Sequence, residues 1–463
     1  MTEASTIVAD VLAGRRDPVA ITRTYLARIE RSNNQLNAVV RHDPARAIAE
    51  AEHVARRVAG GEQLPLAGVP VIVKDNIWVR DRTISQGSRL FADFIAPDDA
   101  IAVERIRAAG AVVVGIGNCP EFACKGQTNS PLHGAARNPL DPALTPGGSS
   151  GGNAAALAAD FAPLALGTDA GGSGRRPAAH TGTVGFKPSF GAIPYGPGFS
   201  EPFWGISVIA PMARTVTDLA LLFGVVAGPE GRDPESIHIA PKSTARPAGT
   251  LRIAYAPRLG LDVPVDSDVA EAIETGVEAL RRAGWTIGRK DPVWPQGLRE
   301  DSLMPLQAAG LAALHGTAYR AGPHHFDPDV GAQIARGLEL SGIEVAAALE
   351  ASFAIRRTTA AFLADIDLLL CPTAPCCAWS VERLGPSHIG GVEVPPRGHA
   401  VFTPFFNHAL TPAISIPCGH DRNGLPVGLQ LIARRGADWQ VIKAAQEAEL
   451  ILAQLNSTKT QQS

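Results

Sequence analysis

Three serines and one lysine stand where nucleophilic chemistry could use them. Ser149 and Ser150 lie inside TPGGSSGGN, residues 145–153, where the glycines at 147, 148, 151 and 152 open backbone conformations closed to most residues. Ser173 lies in LALGTDAGGSGRRPA, beyond a short strand end at 164–167 and inside a second permissive loop, Gly171-Gly172-Ser173-Gly174. Lys74 closes the apolar run VPVIVK. The first loop admits more than one chemistry. A glycine loop entering the helical NAAALAA could cradle a phosphate, but it lacks both the GK[ST] ending of a P-loop and the spacing of a dinucleotide fingerprint. The pattern G-x-S-x-G is met twice, centred on Ser149 or Ser150. A nucleophile elbow, however, needs a strand directly upstream, and the prolines of RNPLDPALTP remove the ladder donors such a strand requires.

The third chemistry is acyl transfer centred on Ser173. Successive N–H groups in its glycine loop can converge on one point and stabilise a developing oxyanion. A serine nucleophile needs a base, and no nearby histidine presents itself for that part. Lys74, at the end of a buried strand, would lose hydration there; desolvation disfavours the ammonium and lowers its pKa, so a neutral, proton-accepting lysine becomes available. Ser–Ser–Lys then forms a coherent proton relay. Taken singly, each element also fits a plainer account, because glycine–serine loops are common turns and a lysine closing a strand commonly reaches water.

The elements that would position these groups begin with residues 21–58, which read as two amphipathic helices broken at Ser32-Asn33-Asn34. They precede the strand LAGVPVIVKDN. DDAIAVERIRAAGA then reads as a helix entering the apolar strand VVVGIG, a rhythm of α/β architecture. A Pro/Gly-rich passage at 228–250 interrupts it, and LRIAYAP, SDVAEAIETGVEALRRAG and WTIGRK resume it as strand, helix and strand. Val269, Ile273, Val277 and Leu280 share one face of that helix, as a sheet-covering helix requires. DLLLCP, PAISIPCG and PVGLQLIA are further strands, a helix from Trp439 to about Leu455 closes the chain, and 385–400 is a long Gly/Pro-rich loop that serves either as a lid or as a surface excursion.

Composition bounds the function. Hydrophobic residues make up 45% of the chain and charged residues 19%, with 42 Lys plus Arg against 45 Asp plus Glu and a net charge of −3. There is no basic block for nucleic acid, no apolar run long enough to span a bilayer, and no basic, apolar leader, so the expectation is a cytoplasmic protein. The six cysteines form no CxxC pair and the twelve histidines no HExxH, so reduced thiols and no metal or organic cofactor are expected.

The combination of PLAGVPVIVKDNI, TPGGSSGGNAAALAA and LALGTDAGGSGRRPAAHTGTVGFKPSFG, in that order, resembles the amidase signature family of serine hydrolases. ARTVTDLALL, DLLLCPTAP and PAISIPCG…GLPVGLQLI extend the resemblance from about residue 20 to 450. It implies an α/β fold with a central mixed β-sheet covered by helices on both faces. It also implies one amidase domain over 1–463, with an N-terminal helical segment at 1–60, a signature core at 61–227 and the rest of the domain with its pocket loops at 228–463. Carried over by motif, the implied catalytic residues are Lys74, Ser149 in cis peptide linkage and Ser173 as nucleophile. Backbone amides of Ala170, Gly171 and Gly172 form the implied oxyanion hole, Ser150 supports, and Asp169 with Arg175 braces the loop as a charge pair. Ala170 and Gly174 depart from the commonest wording of the family, GTDTGGSIR, without removing a backbone donor, and Arg176, followed by Pro177, is assigned no role.

Within the family, the A subunit of the glutamyl-tRNA amidotransferase is the main alternative; it carries a stretch like NMDEFAMGSSTENS where this chain reads NCPEFACKGQTNSP. That difference favours a stand-alone hydrolase of an aryl or aliphatic amide, an ester or a carbamate, acting as monomer or homodimer with a small-molecule partner. A non-catalytic binding protein on the same scaffold is the remaining reading. Residues 119–131, 196–206 with Phe199, Phe203 and Trp204, and 399–407 with Phe402, Phe405 and Phe406 either line an apolar pocket or belong to the core.

Overall fold

The computed structural model of the chain describes residues 3–299 and 301–460. The strands among them are β1 (Val39–Arg41), β2 (Pro70–Lys74), β3 (Val112–Gly117), β4 (Leu164–Asp169), β5 (Val184–Lys187), β6 (Val208–Ala213), β7 (Ile253–Tyr255), β8 (Ile287–Arg289), β9 (Leu368–Pro372), β10 (His388–Ile389), β11 (Val392–Glu393), β12 (Ala413–His420) and β13 (Pro426–Ile432). Eleven of them form one sheet in the order β1-β3-β2-β4-β6-β5-β12-β13-β9-β7-β8, and β10 with β11 forms a hairpin inside the 385–400 loop. The sheet is mixed: β3, β2 and β4 run parallel, as do β9, β7 and β8, and the strands between them pair antiparallel.

Both faces are covered, as strand alternation makes visible. Leu368 and Leu370 of β9 pack in one hydrophobic cluster, while Leu369 and Cys371 pack in another with Ile355, Phe402, Phe405 and Phe406. Successive side chains on a strand point to opposite faces, so the two clusters lie on opposite sides of the sheet. The helix Ser267–Arg282 buries Val269, Ile273, Val277 and Leu280 in the larger one.

The break expected at Ser32-Asn33-Asn34 is absent. The second helix runs Pro18–Leu36, starting where Asp17 accepts the N–H groups of Val19 and Ala20 and ending where Asn37 turns left-handed at φ 47°. Asn33 instead exchanges side-chain bonds with the backbone of Val39, at 2.7 and 2.9 Å, and so anchors β1 to the helix end. No described helix is long and apolar enough to cross a membrane.

Candidate active site

Lys74 ends β2 with its side chain fully buried. Its Nζ lies 2.8 Å from Ser149 Oγ and 2.8 Å from Thr168 Oγ1, and Asn76 Nδ2 donates to the same threonine oxygen at 3.0 Å. The meeting follows from sheet topology: β2 and β4 pair in parallel with Val73 opposite Leu166, so both end at the same edge of the sheet. Burial disfavours the ammonium and brings the lysine pKa down to about 8, against an upward pull from Cys119 and Asp169. Burial, with Asp75 beside it, pushes the Cys119 thiol far above its ordinary range. Cys119 is therefore uncharged at neutral pH, and Asp169 is the effective counter-charge.

The 145–153 loop delivers Ser149 to that lysine through a cis Gly148-Ser149 peptide. Thr128 Oγ1 donates to Gly147 O at 2.9 Å and accepts from Gly151 N at 3.0 Å, bridging the two sides of the bend. A Cβ on Gly148 would sit 2.8–2.9 Å from the backbone of residues 125–127, so only glycine lets the loop lie this close to its neighbour. Ser150 ties this loop to the next. Its N–H donates to Ser173 O at 3.0 Å and its Oγ to Thr168 O at 3.1 Å.

Ser173 sits in a loop built around one carboxylate. Asp169 and Arg175, both fully buried, pair at 2.9 Å. The Asp169 carboxylate also accepts from Gly172 N at 2.7 Å, Gly174 N at 3.1 Å and Asn407 Nδ2 at 2.9 Å. Burial alone would raise its pKa, but the Arg175 guanidinium and the Asn407 amide outweigh burial and hold it well below the carboxylate range. Arg175 reaches onward to Gln430 Oε1 and Asn407 Oδ1, each at 2.6 Å, and to Thr403 O at 3.0 Å. On the far side of the same peptide unit, Gly171 O accepts from Thr403 Oγ1 at 2.8 Å and from Arg176 Nη1. The Gly171-Gly172 peptide is thus fastened at both ends. Gly172 adopts φ +110°, and a Cβ there would collide with Thr403 Oγ1.

The expected oxyanion set needs one correction. The Gly172 N–H is committed to Asp169 and Gly172 does not line the cleft, whereas Ala170 and Gly171 line it beside Ser173. Of the three expected donors, Gly172 is therefore withdrawn.

The family model described as Amidase matches residues 20–442. The chain belongs to the amidase family. It is 37% identical to the A subunit of the glutamyl-tRNA(Gln) amidotransferase of Deinococcus deserti, over 98% of this chain and 97% of that one. An acylamidase of Rhodococcus erythropolis is 32% identical over 97% of this chain and 95% of its own length. Among solved structures, a bacterial aryl acylamidase of the amidase signature enzymes superposes with a TM-score of 0.89 at 28% identity, covering 97% of this chain and 96% of that one.

In this chain the cleft above Ser173 is narrow, with a cavity volume of about 50 Å³. Of the three stretches considered for the pocket, the first contributes Ala123, Cys124 and Lys125, the second Phe203 and Ile206, and the third Pro404. The other aromatics are elsewhere. Phe199 packs 4.9 Å from both Phe91 and Phe94, Trp204 donates its indole N–H to Leu306 O at 2.7 Å, and Phe402, Phe405 and Phe406 are core. Sequence reasoning missed Leu303 and the start of the helix Met304–Ala321, which supply Met304, Leu306 and Gln307, together with Arg397 from the 385–400 loop and His408. It also missed Thr168, although the parallel pairing of two recognised strands contains that signal. His408, bonded to Ser352 Oγ at 2.8 Å, is kept neutral by burial and by Arg356, its pKa lowered to about 3.

Proposed function

We propose that this chain hydrolyses the carbon–nitrogen bond of a small non-peptide amide through a serine-bound acyl intermediate, with esters and carbamates accessible to the same chemistry. The observation that carries the reading is a buried Lys74 with its pKa lowered to about 8, 2.8 Å from Ser149 and tied through the adjacent Ser150 to Ser173. Neutral Lys74 accepts a proton through Ser149 as Ser173 Oγ attacks the carbonyl carbon. The amides of Ala170 and Gly171 receive the oxyanion, the relay returns the proton to the departing amine, and water releases the acyl group by the same steps in reverse. These steps draw on the chain's own side chains and backbone amides and on water, so a chelator should leave the rate unchanged.

A serine-directed fluorophosphonate with peptide mass mapping tests the nucleophile: an adduct at Ser173, absent in Ser173→Ala, is the expected outcome. Labelling elsewhere, or none, would turn the reading towards a binding protein on this scaffold. The second reading, release of ammonia from glutamine for a partner protein, is favoured by the 37% identity to the A subunit of an amidotransferase. Turnover of a simple aryl amide by the purified chain, without partner or tRNA, decides for the hydrolase; strict dependence on a partner decides against it.

A further inference from the structure

Lys125 and Gln307 both line the cleft beside Ser173, and the steps above use neither. They are neighbours in the fold: Gln307 Nε2 donates to the carbonyl of Cys124, the residue before Lys125, at 3.3 Å. The Lys125 side chain is buried, and its Nζ donates to Asp327 Oδ2 at 2.6 Å, with an Asp329 carboxylate oxygen 3.6 Å away. Asp327 caps the helix Pro328–Glu339 and Asp329 lies in its first turn, so the charge of Lys125 is balanced from that helix. An ammonium carries three N–H donors, and what this one offers a ligand is a hydrogen-bond donor rather than an uncompensated charge.

Gln307 offers the opposite. Its Nε2 faces two oxygens, Cys124 O and, at 2.6 Å, Gln333 Oε1. Gln333 is held in that sense by its own Nε2, which donates to Cys124 O at 3.4 Å and to Asp329 O at 3.3 Å. Both amides are thereby oriented, and among the described residues no donor reaches Gln307 Oε1. A donor and an acceptor joined through Cys124 complement a primary carboxamide, whose carbonyl accepts while its NH2 donates. Ile206, Leu303 and Met304 give the cleft apolar lining suited to a short aliphatic spacer.

We propose that Lys125 and Gln307 bind a second, uncleaved carboxamide and that the substrate is a short diamide. The inference rests on the hydrolytic reading above and narrows it. The reaction balances as diamide and water giving a monoamide acid and ammonia: the scissile C–N bond breaks, a C–O bond to water forms, and the second carboxamide is retained.

The test is binding to the Ser173→Ala protein, which cannot turn its ligands over. Malonamide is compared with isovaleramide, and succinamide with isocaproamide, in which an isopropyl group replaces one carboxamide. For at least one pair, the preference for the diamide should fall about 10-fold or more on adding Lys125→Met, the scale of a hydrogen bond to a charged group, and about 2- to 10-fold on adding Gln307→Met. Levulinamide, which keeps the second carbonyl of succinamide and carries methyl in place of its NH2, should respond to Lys125→Met and not to Gln307→Met. Gln333→Met cuts the same link to Cys124 from outside the cleft lining, and the preference should survive it. Lys125→Met/Asp327→Asn removes both charges of the pair and replaces the single variant should that one fail to fold. If either cleft substitution leaves both preferences unmoved in a protein with an unchanged melting curve, or Gln333→Met lowers them as far, the proposal is overturned. Ammonia release by the wild-type chain is scored separately. Diamide binding that depends on Lys125 and Gln307 without ammonia release keeps the carboxamide site and drops the hydrolytic reading, whereas equal kcat/KM on isovaleramide and malonamide, and on isocaproamide and succinamide, does the reverse.

Discussion

Lys74 Nζ meets two hydroxyl oxygens in a buried setting, where burial lowers its proton affinity against the pull of the Asp169 carboxylate. The reaction needs the neutral amine, so kcat/KM on an unactivated amide should climb with pH through a midpoint near the lysine pKa of about 8 and level off above it. At pH 7 about one molecule in ten carries the neutral form, so an optimum well below neutrality contradicts the lysine base. Thr168→Val gives a signed test. Its hydroxyl accepts from the ammonium, and its loss disfavours the charged form, so the rising limb should move to lower pH while the maximal rate falls. Lys74→Ala should remove most turnover with the fold intact, and near-normal kcat at neutral pH in that variant would sink the proposal. At Asp169, Arg175→Ala leaves a fully buried carboxylate without its partner, and denaturant titration should register a loss of about 3–5 kcal/mol.

Between elements, the nucleophile loop depends on a segment far away in the chain. The short helix Pro404–His408 and the residue before it supply Asn407 to Asp169 and Thr403 to Gly171, so the amides proposed to receive the oxyanion are held by contacts across more than 200 residues of sequence. Gly172→Ala forces a Cβ into Thr403 Oγ1 at a backbone angle that side chains resist. We expect kcat to fall by about 10²-fold, the scale of one lost oxyanion donor, with KM changed much less. A proportionate rise in KM would instead place Gly172 in substrate binding. The strands that carry Lys74 and Asp169 were legible because their runs are continuously apolar. β5 and β6 were not. β6 contains Pro211, which argues against a central strand, yet it stands opposite Leu166 of β4, while β5 pairs only with Met212 and Ala213.

For the whole molecule, the sheet joins the signature core to the later half through the antiparallel pairing of β5 with β12, so Gln430 of β13 and Thr403 reach the Arg175 side chain. Full-length likeness both to the A subunit of an amidotransferase and to an acylamidase makes partner dependence the informative measurement, and activity of the isolated chain is the expected result. The candidate chemistry was legible in the chain alone. The lysine at the end of an apolar strand, the serines in two glycine loops, and the acid and arginine beside Ser173 are local patterns, and a local pattern is complete within a few neighbouring residues. Folding alone settles which groups face one another: that Thr168 shares Lys74, that Gly172 turns its N–H inward, that Phe402, Phe405 and Phe406 are core, and that Arg176 faces the cleft. Those outcomes depend on strand register and on contacts between segments hundreds of residues apart, and neither is encoded in the spacing of neighbouring residues.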